Sequence, residues 1–413
     1  MTGFIYNIII SLVYGVINII ALFNKKLKLF VTGRKESFDK LSAINSSDKV
    51  LWFHAASLGE FEQARPIIEN LKKDYSNYKI VVTFFSPSGY EIRKNYPHAD
   101  VVCYLPFDTN RNMKKFVSLI KPEIAFIVKY EFWPNLLDQL HKHQIKTILI
   151  SGIFREKQSF FKWYGSYMRK KLYAFDYFFV QNDTSKNLLH SIGFNNVVKS
   201  GDTRFDRVYD ILKQDNKLDF VEEFKNNTYT VIAGSTWPED EELIVNYINN
   251  HASGDEKFIL APHTIQSNKI QELKSSISKS TVLFSEKDNL ELKEFQVLIV
   301  DTIGILTKIY SYADVAYVGG GLATGLHNIL EPATYGIPIV FGGYKYHKFQ
   351  EAIDLIKLKG VTIVTDKKEL SNNFVSLKTN ENLRSTMGKT NMDYVKNNTG
   401  ATQKILEYIK NSL

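Results

Sequence analysis

Fourteen short apolar runs, each bounded by polar or glycine-rich turns, constrain this chain more than any other feature. Seven occupy residues 50–54, 80–84, 101–105, 124–129, 147–151, 177–181 and 197–201. Seven more occupy 229–233, 258–261, 281–284, 297–301, 315–318, 337–341 and 361–364. Strands buried on both faces read as such unbroken runs. The intervals leave room for crossover helices, so the pattern predicts two doubly wound α/β domains in succession. A length of 413 residues is enough for two separate cores. The charge-rich, apolar-poor stretch 208–227 is the expected division, and the helical stretch 403–413 is expected to pack back across it. Open α/β sheets bind ligands beyond the carboxyl ends of their strands, so chemistry is expected in a cleft where the two domains face each other.

Hydrophobic residues make up 44% of the chain and aromatics 13%, which sets it apart from disordered sequences. The net charge of +8 suits nucleic acid, an anionic membrane or phosphorylated ligands without choosing among them. The single cysteine, Cys103, excludes a disulfide framework and fits a reducing compartment.

Residues 1–24 contain no Asp, Glu, Lys or Arg. At ~1.5 Å per residue such a helix reaches across a hydrocarbon core of about 30 Å. It has no basic leader region and no A-x-A site, and the apolar run is too long for a cleaved signal. Lys25, Lys26, Lys28, Arg34 and Lys35 follow, which keeps the rest of the chain on the cytoplasmic side. Residues 1–35 therefore read as an anchor with a basic flank. Asn7, Ser11, Tyr14 and Asn18 fall on one helical face, a stripe suited to a helix lying in the interface or packed on its own domain. Spanning and lying flat both stay open, and a buried core helix is the plain alternative.

Residues 319–343, GGGLATGLHNILEPATYGIPIVFGG, follow the run 315–318. Gly320 and Gly321 sit in a turn feeding a helix expected from about Asn328. Bare amides and the helix dipole would both favour an anion there. Glu331, one turn into that helix, is placed to reach a ribose hydroxyl. The segment is not G-x-G-x-x-G, which weakens a dehydrogenase reading. In AGSTWPE (233–239), Ser235 and Thr236 can donate to a phosphate. Thr236 and Glu239 also fit a capping box, and the acidic run from Glu239 to Glu242 reads as ordinary dipole complements.

Two carboxylates stand after strand-like runs. Glu60 in HAASLGE (54–60) is placed as a general base. Spacing alone favours a cap, with Glu60 bonding the Ser57 N–H. His54 is either ligand-facing or a bonded core histidine. Glu131 in EFWPN (131–135) is the second carboxylate. Trp133 and Pro134 are either a wall for a sugar or lipid, or a packed aromatic and a helix start. The run 155–173, REKQSFFKWYGSYMRKKLY, interleaves Arg155, Lys162, Arg169 and Lys170 with aromatics, as an anionic membrane surface or lipid phosphates would require. An amphipathic helix with one buried aromatic face fits equally. No Walker-A loop, C-x-x-C, H-E-x-x-H or G-x-S-x-G is present, and no metal site is expected.

These motifs, in this order, resemble the 3-deoxy-D-manno-octulosonic acid (Kdo) transferases of Gram-negative lipopolysaccharide synthesis. The resemblance adds TFFSPSG (83–89), SGIFREKQS (151–159), GDTRFD (201–206) and VDTIGIL (300–306) to the segments above. It implies a GT-B glycosyltransferase with an N-terminal membrane-anchor helix. An acceptor-binding domain over 36–210 and a nucleotide-sugar domain over 211–413 would face each other. It implies transfer of Kdo from CMP-Kdo to a lipid A precursor of the lipid IVA type. Transfer would invert configuration, without metal or other cofactor, at the cytoplasmic face of the inner membrane. No nucleic acid and no obligate protein partner are implied. Glu60 matches the family's base and Glu131 would support it. Ser235, Thr236, His263, Gly320, Gly321, Asn328, Glu331 and Arg204 would serve the donor. His263 stands where many relatives have Arg, and Arg204 where the family often has Lys. The alternatives are a GT-B enzyme using a UDP-sugar and a non-catalytic lipid-binding relic.

Overall fold

The computed structural model describes residues 2–413. They form two compact units: the chain up to Asp206 together with Thr399–Leu413, and Arg207–Asn398. In the first, strands β1 (Lys49–Ala55), β2 (Tyr78–Phe84), β3 (Val101–Tyr104), β4 (Ile124–Val128), β5 (Lys146–Gly152), β6 (Tyr177–Val180) and β7 (Val197–Lys199) run parallel in the order β3-β2-β1-β4-β5-β6-β7. Alternate side chains of β1 feed two cores. Val50 and Trp52 enter one, and Leu51 and Phe53 enter the other. Covering both faces is what makes the strands read as unbroken apolar runs. Helix Ala401–Lys410 places Ile405 and Ile409 in the Leu51–Phe53 core, so the end of the chain completes the first unit.

The second unit repeats the plan. Strands β8 (Tyr229–Thr236), β9 (Glu256–Pro262), β10 (Thr281–Leu283), β11 (Val297–Ile299), β12 (Val315–Val318), β13 (Ile339–Gly342) and β14 (Val361–Val364) are parallel in the order β10-β11-β9-β8-β12-β13-β14. β13 starts after Pro338, which has no N–H for the ladder but accepts from Ala316 through its carbonyl at 3.0 Å. The order reverses between β1 and β4 in the first sheet and between β8 and β12 in the second, where β10 and β11 are also exchanged at the edge. Crossovers leave these adjacent pairs in opposite directions and open a crevice at their carboxyl ends.

Helix Thr2–Ile20 docks on the first unit along one stripe. The Tyr6 hydroxyl donates to Asp108 at 2.7 Å, the Asn135 amide donates to Asn7 at 2.9 Å, and Tyr14 stacks on Phe107 at 4.7 Å. Ser11 and Asn18 instead bond carbonyls of their own helix. The opposite face is apolar and exposed: Phe4 is 71% and Leu12 65% accessible, followed by Phe23 at 87%. Gly3–Ile20 is the one segment among the described residues long and apolar enough to cross a membrane.

Candidate active site

The first crevice holds both predicted carboxylates. β1 ends at Ala55, and Glu60 sits in the first turn of the following helix, Leu58–Asp74. Its Oε2 accepts the Ala56 N–H at 2.7 Å. The capping-box bond expected from the Ser57 amide is therefore displaced by one residue, and Ser57 makes no side-chain cap. β4 ends at Val128, and Lys129 adopts a left-handed φ of 62°. This conformation is uncommon for a side chain larger than Asn, and such strain collects at functional turns. It directs Tyr130 and Glu131 into the crevice. Glu131 Oε2 accepts the Trp133 indole N–H at 2.8 Å and lies 3.5 Å from His54 Nε2.

Glu60 and Glu131 are both buried. Burial, and next the charge of Glu131, push the Glu60 carboxyl above the usual range. The Ala56 amide, Lys129 and His54 pull it back in part. The Tyr130 hydroxyl is raised by burial and then by Glu60, with Arg155 opposing, so Arg155 borders this site from its exposed position. A carboxylate whose proton affinity is raised by burial and a like charge is what a general base near neutral pH requires.

Two alternatives left open by the sequence resolve here toward packing. His54 is fully buried and does not face a ligand. Trp133 stacks on Phe85 at 4.7 Å, and Pro134 opens helix Pro134–Lys142, so this pair is packing and a helix start. Arg204 is engaged by the buried Asp202: its Nε lies 2.9 Å and its guanidinium Nη2 2.8 Å from Asp202 Oδ2. Asp202 also accepts from Gln63, on the Glu60 helix, at 3.0 Å. Arg204 thus braces that helix from within the first unit.

The second crevice gathers the predicted donor residues except Arg204, which lies in the first unit, with corrections. Ser235 and Thr236 end β8, and Ser235 takes a left-handed φ of 55° at a register shift in the ladder. The Thr236 hydroxyl donates to Glu241 at 2.9 Å. The helix cap shifts by one residue to Trp237 and Asp240. In the glycine-rich loop, the Gly320 amide donates to Asp240 at 2.8 Å and so is not bare. Gly320 has φ 90°, and a Cβ on Gly321 would overlap the Gly342 carbonyl. These glycines answer first to backbone packing. The helix expected from Asn328 is the short segment Leu330–Thr334. Glu331 accepts from Asn328 at 3.0 Å and from Thr307 at 2.8 Å.

His263 is stacked between Trp237 at 4.8 Å and His327 at 4.6 Å. The Trp237 indole N–H donates to His327 Nε2 at 3.0 Å, which assigns the remaining proton to Nδ1. Burial lowers both imidazoles, His327 to about 4, so both are neutral at pH 7. Beside them lies a cavity of about 220 Å³ lined in part by Thr236, Trp237, Glu241 and Lys269. Sequence reasoning missed Trp237, Asp240 and His327. The only signal was their position beside the two carboxyl-end loops. Among the described residues, no cluster of three or more His, Cys, Asp or Glu is placed to hold a metal.

The basic aromatic run divides by burial. Phe160 enters the core, while Trp163 and Tyr164 are exposed. Arg169 donates to the carbonyls of Phe160 at 2.9 Å and Lys162 at 2.8 Å, so it shapes the loop. Lys170 is exposed and Lys162 half-buried.

Paired seven-stranded parallel sheets, each with polar loops at its switch point, define the class: a GT-B fold. Similarity to solved structures supports the same class. A UDP-GlcNAc 2-epimerase from Neisseria meningitidis bound to UDP-GlcNAc superposes with TM-score 0.61, 16% identity, and 88% and 100% of the two chains covered. MurG from Acinetobacter baumannii gives TM-score 0.57, 11% identity, and 88% and 99% coverage. Residues 32–207 match the family described as 3-deoxy-D-manno-octulosonic-acid transferase (kdotransferase). A 3-deoxy-D-manno-octulosonic acid transferase from Aquifex aeolicus (strain VF5) is 29% identical over 331 residues, covering 79% of this chain and 84% of that protein. Over these residues the chain is similar to the Kdo transferases, a family of glycosyltransferases in lipopolysaccharide synthesis.

Proposed function

We propose that this protein transfers Kdo from CMP-Kdo to a lipid A precursor of the lipid IVA type, with inversion and without a metal. The observation carrying this reading is the buried Glu60–Glu131 pair at the β1/β4 switch point. Glu60 takes the proton from the attacking hydroxyl of the acceptor sugar. That oxygen forms its bond to the anomeric carbon as the carbon–oxygen bond to CMP breaks, through an oxocarbenium-like state. The bonding pair leaves on the phosphate of CMP. Fixed dipoles stabilise charge developing there. Ser235, the Asn328 main-chain N–H and the outward edge of His263 are the groups left to supply them. Glu331, polarised by Thr307 and Asn328, holds the ribose.

Acceptor and enzyme meet at the membrane. The exposed apolar face of helix Thr2–Ile20 lies in the interfacial region of the inner membrane, on its cytoplasmic side. Its other face is held by Tyr6, Asn7 and Tyr14, which favours lying flat over spanning. Arg155 and Lys170, with exposed Trp163 and Tyr164, meet anionic headgroups. The test is purified protein with CMP-Kdo generated in place and a lipid IVA-type acceptor, read by mass. A gain of whole Kdo units supports the proposal. An unchanged acceptor rejects it, and a gain seen only with a UDP-sugar assigns a different donor.

A further inference from the structure

The glycine-rich loop spends most of its amides on the protein itself. The Gly319 N–H donates to the Gly234 carbonyl at 2.9 Å, and the Gly320 N–H to Asp240 at 2.8 Å. The Ala323 and Gly325 N–H groups share the Gly320 carbonyl at 3.1 and 2.9 Å, and the His327 N–H takes the Gly319 carbonyl at 3.1 Å. The helix that follows, Leu330–Thr334, is 5 residues long, too short to build much of a macrodipole. Burial keeps the imidazoles of His263 and His327 neutral at pH 7. Dipoles alone are thus a thin answer to a phosphate that gains charge as it leaves.

Lys345 lies against the same loop, just past the end of β13. Its N–H donates to the Gly321 carbonyl at 2.8 Å, and its carbonyl accepts the Leu326 N–H at 3.2 Å. Its Nζ donates to the Ala323 carbonyl. The residue is exposed, and the other two ammonium protons have no protein partner among the described residues. Among the described residues of the second unit, no other lysine or arginine is hydrogen-bonded to residues 319–328. Lys269, at the neighbouring cavity, is paired with Glu272 at 2.7 Å. A lysine on a carbonyl is also a plain staple for a turn. Here the two backbone bonds of Lys345 already join the segments, so the ammonium is not needed for that task.

We propose that Lys345 is the cation that receives the phosphate of the nucleotide donor, turning from the Ala323 carbonyl to a phosphate oxygen when the donor binds. The inference rests on the CMP-Kdo reading above and gives its leaving group a counter-charge. As the bond between the anomeric carbon and oxygen breaks, the electron pair stays on the phosphate oxygen. The phosphate passes from singly to doubly charged. An ammonium beside it gains attraction as that charge develops, which favours the transition state over the bound donor.

The test compares CMP with cytidine, which differ by the phosphate alone. Both are titrated calorimetrically into wild type, Lys345→Arg, Lys345→Gln and Lys345→Met. Wild type should bind CMP well ahead of cytidine. Lys345→Gln and Lys345→Met should each weaken CMP about tenfold, the scale of one charge-assisted contact, and leave cytidine unchanged. Lys345→Arg should keep most of the CMP affinity. Gln at this position can still donate to the Ala323 carbonyl but carries no charge. A preference for CMP over cytidine that Lys345→Gln leaves at the wild-type value overturns the proposal. So does a Lys345→Met variant that loses both ligands alike while Lys345→Gln keeps both, since that pattern belongs to a loop staple. Either result leaves the donor reading standing. A wild type that binds neither ligand overturns that reading, and this inference with it.

Discussion

The Gly320 amide donates to the carboxylate of Asp240 at 2.8 Å, tying the glycine-rich loop to the first turn of helix Pro238–Asn250. Asp240 is completely buried and also accepts from the Tyr317 hydroxyl at 2.8 Å and the Trp237 amide at 3.0 Å. The donor loop therefore takes its shape from a side chain that sequence alone assigns to a solvated helix start. Asp240→Ala would strand three donors. The expected loss is roughly 2–4 kcal/mol of stability, seen as a lower unfolding midpoint, together with weaker protection by CMP. A variant with wild-type midpoint and CMP response would show that the loop holds its shape without this anchor.

Asp108 offers a pH-dependent prediction in the first unit. It accepts from the Asn135 and Leu136 amides and from Tyr6, yet burial pushes its carboxyl up to about 6. A raised acid stabilises the fold most below its unfolded value, and that contribution is lost as pH rises through the folded value. The stability difference between wild type and Asp108→Asn should fall from about pH 4 to about pH 6 and then level off. Urea midpoints across that range would show it. A flat difference would mean the three hydrogen bonds offset burial.

Much of the fold was legible because a buried parallel strand leaves a compact mark. All fourteen apolar runs coincide with strands, with ends shifted by a few residues. The places of Glu60 and Glu131 were legible for the same reason, since each follows such a run. Their surroundings were not. His54 meets Thr83 only through the register of β1 against β2, which no local pattern encodes. Asp240 is hidden among four consecutive acidic residues, and only the fold separates the buried one from its neighbours. Gly320 and Gly321 read as a phosphate cradle, although close approach to Gly325 and Gly342 already requires them. The stripe on the N-terminal helix was visible, whereas its partners Phe107, Asp108 and Asn135 lie about a hundred residues away.

That helix makes a third prediction. Phe4 and Leu12 point outward while Asn7 and Tyr14 hold the domain. Phe4→Asp and Leu12→Asp should each weaken co-flotation with anionic vesicles about tenfold, the scale of one buried apolar side chain. Their unfolding midpoints in solution should stay near wild type, because the replaced side chains are exposed. Unchanged flotation would leave the basic aromatic run as the docking surface.

A fourth concerns the donor. CMP at about a hundred times its dissociation constant should stabilise the protein by roughly 2.7 kcal/mol, and UDP at equal concentration should not. Trp237→Ala removes the indole that stacks on His263 and orients His327, so it should reduce the CMP response. Equal protection by UDP would favour a UDP-sugar enzyme.

The central claim is that Glu60 takes the acceptor proton. The most direct measurement is Kdo transfer to the lipid acceptor by Glu60→Gln beside wild type, read by mass, with CMP protection measured on the same preparations. The account predicts transfer reduced at least a hundredfold, the scale of general-base catalysis, with CMP protection intact. Near wild-type transfer by Glu60→Gln would contradict it and leave Glu60 as the partner of the Ala56 amide alone.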